Sequence, residues 1–295
     1  TIHTSTDGSS LTSFTTANAS ALRTYLAAAD ATEATNIITY VRGDSVAGSR
    51  AREGWILGDI VDAAPVAVGK PTSFSSLAGY AAFRVANASR GEVLYVAAND
   101  GMLHCFDTST GDELWGYIPK TQLPRLKNLM STGYCHQYFV NTTPAVYDLT
   151  VGGQWKTVLF GGEAASGNGM FALDITSPTS GPSLLWDVDV SGLKGSTNTP
   201  TLIRDPQLDA QVLCVGTGYS ATSSSDSLIV INPASGAVLN RILLGTAVAG
   251  NKTTRAVAID KDFNGYEDCV YIGDLAGRLW RLNLNTNPWT RTLLF

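Results

Sequence analysis

The sequence predicts an all-β fold, a β-propeller preceded by a short helical segment, from three observations. After residue 52, short runs rich in Val, Ile, Leu, Tyr and Phe alternate with turns rich in Gly, Asn, Asp and Ser. One strand–turn–strand pattern recurs along this part of the chain at about fifty residues, a period typical of propeller blades. Before residue 53 the apolar residues have helical spacing instead. We therefore divide the chain into a lead-in, residues 1–52, and a propeller, residues 53–295.

Two helices are predicted in the lead-in, in "ANASALRTYLAAAD" and "ATEATNIITYVRG", where apolar residues recur three or four positions apart. Asp30 followed by Glu33 predicts an acidic capping box at the second helix, and Gly43 predicts a left-handed C-cap. The tripeptide RGD, Arg42 to Asp44, therefore lies at a helix end. A basic residue, a capping glycine and a turn aspartate are expected there, so we interpret it as structural rather than as an integrin-type recognition loop.

Four copies of the blade pattern are recognisable after residue 53. Each begins with a strand that ends in small residues, as expected near a crowded central channel. A later, outer strand carries a large side chain, typically aromatic, that is expected to pack between blades. The copies begin at "VLYVAANDG", "TVLFGGEAA", "QVLCVGTG" and "DCVYIGDLAG", and their large outer residues are Trp115, Trp186, Leu239 and Trp289. The segments "DAAPVAV", "NTTPAVYD", "NTPTLIRD" and "TTRAVAID" are predicted as innermost strands. We count four blades and a partial one around residues 55 to 68.

This blade count predicts an open ring. A propeller leaves few strand edges exposed only when its last blade packs against its first, and four blades and a fraction fall short of that. We therefore expect a longer native chain, or a second polypeptide that supplies N-terminal or C-terminal strands. The isolated chain is expected to be poorly soluble or to self-associate.

Composition excludes several classes of function. The net charge of −5 and the absence of a Lys/Arg cluster exclude long-range attraction to nucleic acid or anionic lipid. No apolar run reaches the roughly eighteen residues that cross a bilayer, so we expect no transmembrane span. Low charge with abundant Gly, Ser, Thr and Asn favours an extracellular bacterial protein. The chain begins without Met or a secretion signal, which favours a piece of a longer chain or a processed product. Four cysteines without a C-x-x-C pair leave three disulfide pairings open.

No catalytic constellation is recognisable, and we expect no enzymatic activity. The histidines His3, His104 and His136 have no Ser or Cys nucleophile in a recognisable elbow. The stretch "GGEAASGNG" lacks the lysine of a phosphate-binding loop. Asp107 and Asp112 flank "TSTG", where an aspartate that accepts backbone N–H bonds is more common than a catalytic acid.

The stretch "DKDFNGYED", residues 260–268, predicts a calcium site. Its candidate ligands stand at alternate positions of the loop, and Gly265 at the sixth position permits a sharp turn, as at the start of an EF-hand loop. The ligands are Asp260, Asp262, Asn264, the carbonyl of Tyr266, and Asp268. With a bidentate Asp268 and a water they would supply about seven oxygens, which suits Ca²⁺ better than Mg²⁺. Phe263 and Glu267 are expected to point away.

Several of these motifs, in this order, resemble the C-terminal β-propeller of the PilY proteins, which are associated with type IV pili. The most specific are "VLYVAANDGMLHCFDTSTGDELWGYIP" and "DKDFNGYEDCVYIGDLAGRLWRLNL". The resemblance implies that the last motif carries a calcium loop. It also implies a place at the pilus tip outside the cell, contact with minor pilins, and roles in pilus assembly and attachment to host or abiotic surfaces. Asn141 departs from the aspartate usual in the family.

Two alternatives stay open at this point. The stretch "DTSTGDELW" also resembles the PQQ-type blades of quinoprotein dehydrogenases, although no set of quinone-binding side chains or vicinal cysteine pair accompanies it. An interaction propeller of the integrin-α type would also bind calcium. That type predicts several acidic loops, and the sequence contains one.

Overall fold

The computed structural model describes residues 1–72, 77–163, 167–196, 198–219, 221 and 226–295. The strands in these residues form four sheets, which we call the first to fourth blades in chain order. The first blade contains β1 (Ile2–Thr4), β2 (Thr12–Ser13), β3 (Val66–Val68), β4 (Val93–Ala97), β5 (Leu103–Asp107) and β6 (Glu113–Ile118). The second contains β7 (Ala145–Val151), β8 (Gln154–Gly162), β9 (Gly169–Asp174) and β10 (Ser183–Asp189). The third contains β11 (Thr201–Asp205), β12 (Ala210–Gly216), β13 (Ser227–Ile231) and β14 (Val238–Leu243), and the fourth β15 (Val257–Ile259), β16 (Cys269–Gly273), β17 (Leu279–Asn283) and β18 (Thr290–Leu293).

The second, third and fourth blades are antiparallel meanders in which each strand pairs with the next one along the chain. Their first strands, β7, β11 and β15, lie in the segments predicted as innermost strands, and the repeated pattern predicted from the sequence supplies the other three. Apolar residues run almost continuously along middle strands such as β8, β9 and β13, which are buried on both faces because each blade packs between its neighbours. The structure therefore confirms the all-β prediction and the repeat.

The first blade contains strands that the repeat does not predict. Residues 66–68 pair with β4 and form the innermost strand of the first blade, as predicted for "DAAPVAV", so they do not form the separate partial blade that we also counted. On the other side, β1 pairs in parallel with β6, with Ile2 opposite Gly116, and β2 extends the sheet further. The residues before 53 thus contribute two strands as well as helices, while the division of the chain at residue 52 stays a prediction.

The helices are α1 (Ala19–Leu22), α2 (Ala31–Val41) and α3 (Tyr80–Ala86), with 3-10 turns at 16–18, 120–130 and 178–180. The predicted cap of α2 is confirmed, because the Asp30 carboxylate accepts the Glu33 amide at 2.8 Å. The Glu33 carboxylate accepts the amide of Ala29, one residue before the expected partner. Side chains thus satisfy two N–H groups at this end of the helix, those of Ala29 and Glu33.

The RGD tripeptide ends α2. Gly43 has a φ of +104°, and its amide donates to the Tyr40 carbonyl at 2.9 Å. The Asp44 amide donates to the Thr39 carbonyl at 3.2 Å, which completes a Schellman motif. The Arg42 guanidinium donates to the Phe14 carbonyl. These contacts support the structural interpretation of Arg42 to Asp44.

Neighbouring blades share hydrophobic cores, and two tryptophans join them. Trp115 of the first blade and Trp186 of the second are both buried. Their indole N–H groups donate to the carbonyls of Pro178 and Pro233, each in the blade that follows, at 2.8 Å. The prediction that outer aromatic residues pack between blades is confirmed at these two positions. It is wrong for Leu239, which is 48% exposed and does not repeat the contact.

In the described part of the chain, the hydrophobic clusters join the first blade to the second, the second to the third and the third to the fourth. A further cluster packs the helices of the lead-in against the first blade. None of these clusters combines the first blade with the fourth. Val257, Leu275 and Phe295 of the last blade are exposed. Whether the isolated chain self-associates stays a prediction.

Two further sequence predictions concern thiols and membranes. All four cysteines are free thiols, and three of them, Cys105, Cys214 and Cys269, are buried, whereas Cys135 is exposed. Burial raises the pKa of the Cys105 thiol to about 12, so this residue is a packing group rather than a nucleophile. No helix among the described residues has the length and apolar character needed to span a membrane.

Candidate metal centre

The acidic loop of residues 260–268 connects β15 to β16 in the fourth blade. The two strands pair up to Ile259 and Cys269, and the Asp268 amide donates to the Ile259 carbonyl at 2.9 Å. The loop is therefore a closed hairpin connection whose two ends are fixed by the sheet. Two residues inside it have positive φ: Gly265 at +89°, as the sequence predicts, and Phe263 at +59°. The second was not predicted, because bulky residues rarely adopt this conformation.

Three of the five predicted ligands converge. Asp260, Asp262 and Asp268 each offer a carboxylate oxygen, and these oxygens all lie within 4.8 Å of one another. No other group of three or more His, Cys, Asp or Glu side chains with this proximity occurs in the described residues. Residues eight positions apart meet because the chain folds back at Gly265. A cluster of carboxylates is costly without a cation, and oxygen ligands at this density suit a hard divalent ion.

Asn264 and Tyr266, the other predicted ligands, are tied into the same turn. The Asn264 amide nitrogens, main-chain and side-chain, donate to the two oxygens of Asp262 at 3.2 and 3.0 Å. The Tyr266 amide in turn donates to the Asn264 side-chain oxygen at 2.8 Å. These local bonds form between residues two apart, so the sequence of alternating Asp and Asn residues itself specifies this folded turn.

The carboxylate oxygens of the loop differ in the hydrogen bonds that they accept. The Gly265 amide donates to Oδ2 of Asp260, while Lys261 and Asn285 donate to the two oxygens of Asp268. Oδ1 of Asp260, by contrast, is shielded from solvent and has no hydrogen-bond donor among the described residues. A shielded carboxylate oxygen without a donor is destabilising unless a cation or a water satisfies it. The donor set and this oxygen both fit Ca²⁺.

The electrostatics of the loop keep Asp268 ionised. The Asn285 side chain and the Lys261 amide donate to its carboxylate and lower its pKa. Burial instead raises the pKa of Glu267, the neighbouring carboxyl group. Glu267 lies apart from the three converging carboxylates, as the sequence predicts. Phe263 also points away and is 89% exposed.

A set of contacts with the third blade was not predicted from the sequence. Arg204 at the end of β11 lies over the Tyr266 ring, with the guanidinium carbon 4.0 Å from the ring centroid. The Tyr266 hydroxyl donates to the carboxylate of Asp209, and that carboxylate also accepts from Arg204. The Arg204 amide donates to the Glu267 carboxylate at 2.6 Å. Arg204 and Asp209 lie in "LIRDPQLDA", which contains no recognisable metal motif, so no local signal could have found them.

The other polar groups that the sequence singled out have structural partners. His104 lies in the first blade between Asp100 and Glu113, at 3.1 and 2.7 Å, so its hydrogen bonds are within one blade rather than between blades. Asp107 accepts the amides of Ser109 and Thr110, which confirms its turn role. His104 and Asp107 are thus each held in a local hydrogen-bond network.

Cavities are further candidate sites. One of about 420 Å³ lies between the first and second blades and is lined in part by Tyr80, Arg90, Asp148 and Trp155. The two oxygens of Asp148 accept the hydroxyls of Tyr80 and Thr157 at 2.6 Å. The carboxylate of this cavity is therefore fully hydrogen-bonded within the protein. The acidic loop remains the strongest candidate site in the described residues.

Comparison of the sequence with known proteins gives matches to PilY1 proteins. The family model for the PilY1 β-propeller domain matches residues 57–292. A type IV pilus biogenesis factor PilY1 homologue of Xylella fastidiosa is 36% identical over 291 residues, which cover 92% of this chain and 23% of that protein. The type IV pilus biogenesis factor PilY1 of Pseudomonas aeruginosa is 37% identical over 243 residues, which cover 78% of this chain and 21% of that protein. The chain thus spans less than a quarter of the length of these relatives.

A solved structure agrees with the sequence comparison. The crystal structure of the Pseudomonas aeruginosa PilY1 C-terminal domain is similar with a TM-score of 0.63 and 34% sequence identity. The similar region covers 74% of this chain and 45% of that one. These matches confirm the predicted β-propeller fold and the resemblance to PilY proteins.

Proposed function

The chain belongs to the PilY1 β-propeller family, and from that premise we propose that it is a calcium-binding propeller that acts in type IV pilus biogenesis. The observation that carries the calcium part is the convergence of Asp260, Asp262 and Asp268 within 4.8 Å. The family supports the pilus part, because the matched relatives are named as type IV pilus biogenesis factors.

The proposed calcium ligands are Asp260, Asp262, Asn264, the Tyr266 carbonyl and Asp268. A bound divalent cation would offset the repulsion between the carboxylates and would satisfy Oδ1 of Asp260, which has no donor in the described residues. The sheet holds both ends of the loop, so binding requires little reorganisation of β15 and β16. We propose that calcium stabilises this hairpin, and through it the fourth blade.

We propose that the protein acts outside the cell, at the pilus, and that its partners are minor pilins and other proteins of the pilus tip. Attachment to host or abiotic surfaces belongs to the same proposal. The support is the family and the negative net charge, which disfavours nucleic acid as a partner. We propose no enzymatic role, because His104 is paired with Asp100 and Glu113, and Asp148 accepts the hydroxyls of Tyr80 and Thr157.

A calcium-dependent melting experiment tests this function. Metal that binds only the folded state stabilises it by RT ln(1 + [L]/Kd), which is about 2.7 kcal/mol when calcium is about a hundredfold above Kd. Calcium should therefore raise the melting temperature, chelation should lower it, and Asp262→Ala should abolish the response. The matched control is Asp112→Ala, an exposed aspartate in a turn of the first blade, which should keep the full response. A wild-type protein that melts at the same temperature in calcium and in chelator would refute the calcium site.

A further inference from the structure

We infer that Arg204 of the third blade is a positioning residue for the acidic loop of the fourth blade, so that calcium occupancy and the contact between the two blades are coupled. This inference rests on the proposed function, because it concerns the same site. It adds a residue that lies outside the loop and that no calcium motif contains.

The side chain of Tyr266 is the first point of attachment. Tyr266 occupies the position whose carbonyl is a proposed ligand, and its ring lies under the guanidinium of Arg204 at 4.0 Å. Its hydroxyl donates to Oδ1 of Asp209 at 2.5 Å, and Arg204 donates to the same oxygen at 2.8 Å. The side chains of Arg204 and Asp209 therefore contact each other and both contact the side chain of Tyr266.

The backbone beside Tyr266 is the second point of attachment. The Arg204 amide donates to the Glu267 carboxylate at 2.6 Å, and the Glu267 amide donates to the Arg204 carbonyl at 3.2 Å. Glu267 lies directly before the ligand Asp268. The third blade thus holds Tyr266 by its side chain and Glu267 by its side chain and backbone amide, while the next residue, Asp268, belongs to the carboxylate cluster.

Contacts that hold Tyr266 and Glu267 in place reduce the conformational entropy that the loop loses when it binds calcium. A flexible loop must lose conformational entropy when its ligands gather around an ion, and a loop that is already held loses less. Removal of groups that orient metal ligands commonly weakens metal affinity by about 10- to 100-fold. Because coupling between two events is reciprocal, calcium should also strengthen the contact between the loop and residues 204 to 209.

Calcium titration of purified variants tests the positioning role. Arg204→Ala should weaken calcium binding by about 10- to 100-fold in isothermal titration or in competition with a chromophoric chelator. Asp209→Ala, at an exposed position, and Tyr266→Phe, which keeps the ring and the backbone carbonyl, should each give a smaller loss. The matched control is Arg255→Ala, an exposed arginine of the fourth blade, which should bind calcium as the wild type does.

Amide hydrogen exchange tests the coupling. Calcium should slow exchange at residues 201–210 of the third blade in the wild type and in Arg255→Ala, but not in Arg204→Ala. A merely structural role for Arg204 would lower the melting temperature and leave both readouts unchanged. If Arg204→Ala fails to fold, Asp209→Ala and Tyr266→Phe carry the test with the same readouts.

The outcomes separate this inference from the proposed function. A wild type that binds no calcium refutes the proposed function, and the inference with it. A wild type that binds calcium, together with variants at 204, 209 and 266 that bind it equally well and show the same exchange pattern, refutes only the inference. Weaker binding in Arg204→Ala, with normal binding in Arg255→Ala, supports it.

Discussion

Replacement of Trp186 tests how the blades are held together. The indole is 2% exposed, and its N–H donates to the Pro233 carbonyl of the third blade at 2.8 Å. A Cβ atom on Gly236, also in the third blade, would lie 2.9 Å from the indole ring, so the ring packs directly on the backbone there. Trp186 therefore contributes both apolar burial and a hydrogen bond across one blade interface.

The size of the effect follows from these contacts. Truncation of a buried tryptophan to alanine costs about 3–5 kcal/mol, and it also leaves the Pro233 carbonyl without this donor. At about 2–4 °C per kcal/mol for a domain of this order of size, Trp186→Ala should lower the melting temperature by roughly 6–20 °C. Trp186→Phe keeps most of the ring volume and removes the hydrogen bond, so it should cost only about 1–2 kcal/mol.

Calorimetry, or thermal melting followed by near-ultraviolet circular dichroism, measures this shift. The matched control is Trp55→Ala, because Trp55 is 81% exposed and its removal should change stability by less than about 0.5 kcal/mol. If Trp186→Ala melts within a degree or two of Trp55→Ala, the indole does not join the blades and our explanation of the repeated tryptophan is wrong.

Three further predictions concern buried ionisable groups and the end of α2. Burial raises the pKa of Glu163 to about 7, so stability should fall between pH 4.5 and 7, where only the unfolded state loses the proton. Glu163→Gln should therefore stabilise the protein by up to about 3 kcal/mol at pH 8 and have little effect at pH 4. Urea unfolding that shows the same effect of the variant at both pH values would contradict this. Burial lowers the pKa of His104, but the carboxylates of Asp100 and Glu113 have the larger effect and raise this pKa to about 10. The stability that the charged imidazole contributes is therefore present below pH 6.5 and lost as the pH rises to 10, and His104→Gln should flatten the dependence of stability on pH in this range. A wild-type stability that does not change from pH 7 to 10 would be evidence against this. Gly43→Ala should lower the free energy of unfolding by about 1–2 kcal/mol, because φ is +104° and the new Cβ would lie 3.3 Å from the Ile56 side chain. An unchanged melting temperature would show that the helix end adapts to alanine without strain.

Local patterns determined the features that depend on residues close together in the chain. The meander strands of the blades follow from short apolar runs separated by turns, because pairing with the next strand along the chain needs only a short connection. The cap of α2 and the left-handed Gly43 follow from residues within one or two helical turns. The acidic loop is predictable for the same reason, since its turn is formed by residues two to five positions apart.

Only the tertiary structure decided which distant segments meet. No periodicity indicated that β1 would pair in parallel with β6, more than a hundred residues away, or that β2 would extend the same sheet. The hydrogen bonds of Trp115 and Trp186 end on backbone carbonyls, which every residue possesses, so the sequence does not identify the acceptor. The contact of Arg204 with the acidic loop is equally absent from the sequence pattern, because it also depends on which segments meet in the fold. The loop carries its own ligands in its sequence, but the position of the third blade, which fixes two of its residues, arises only when the blades pack together.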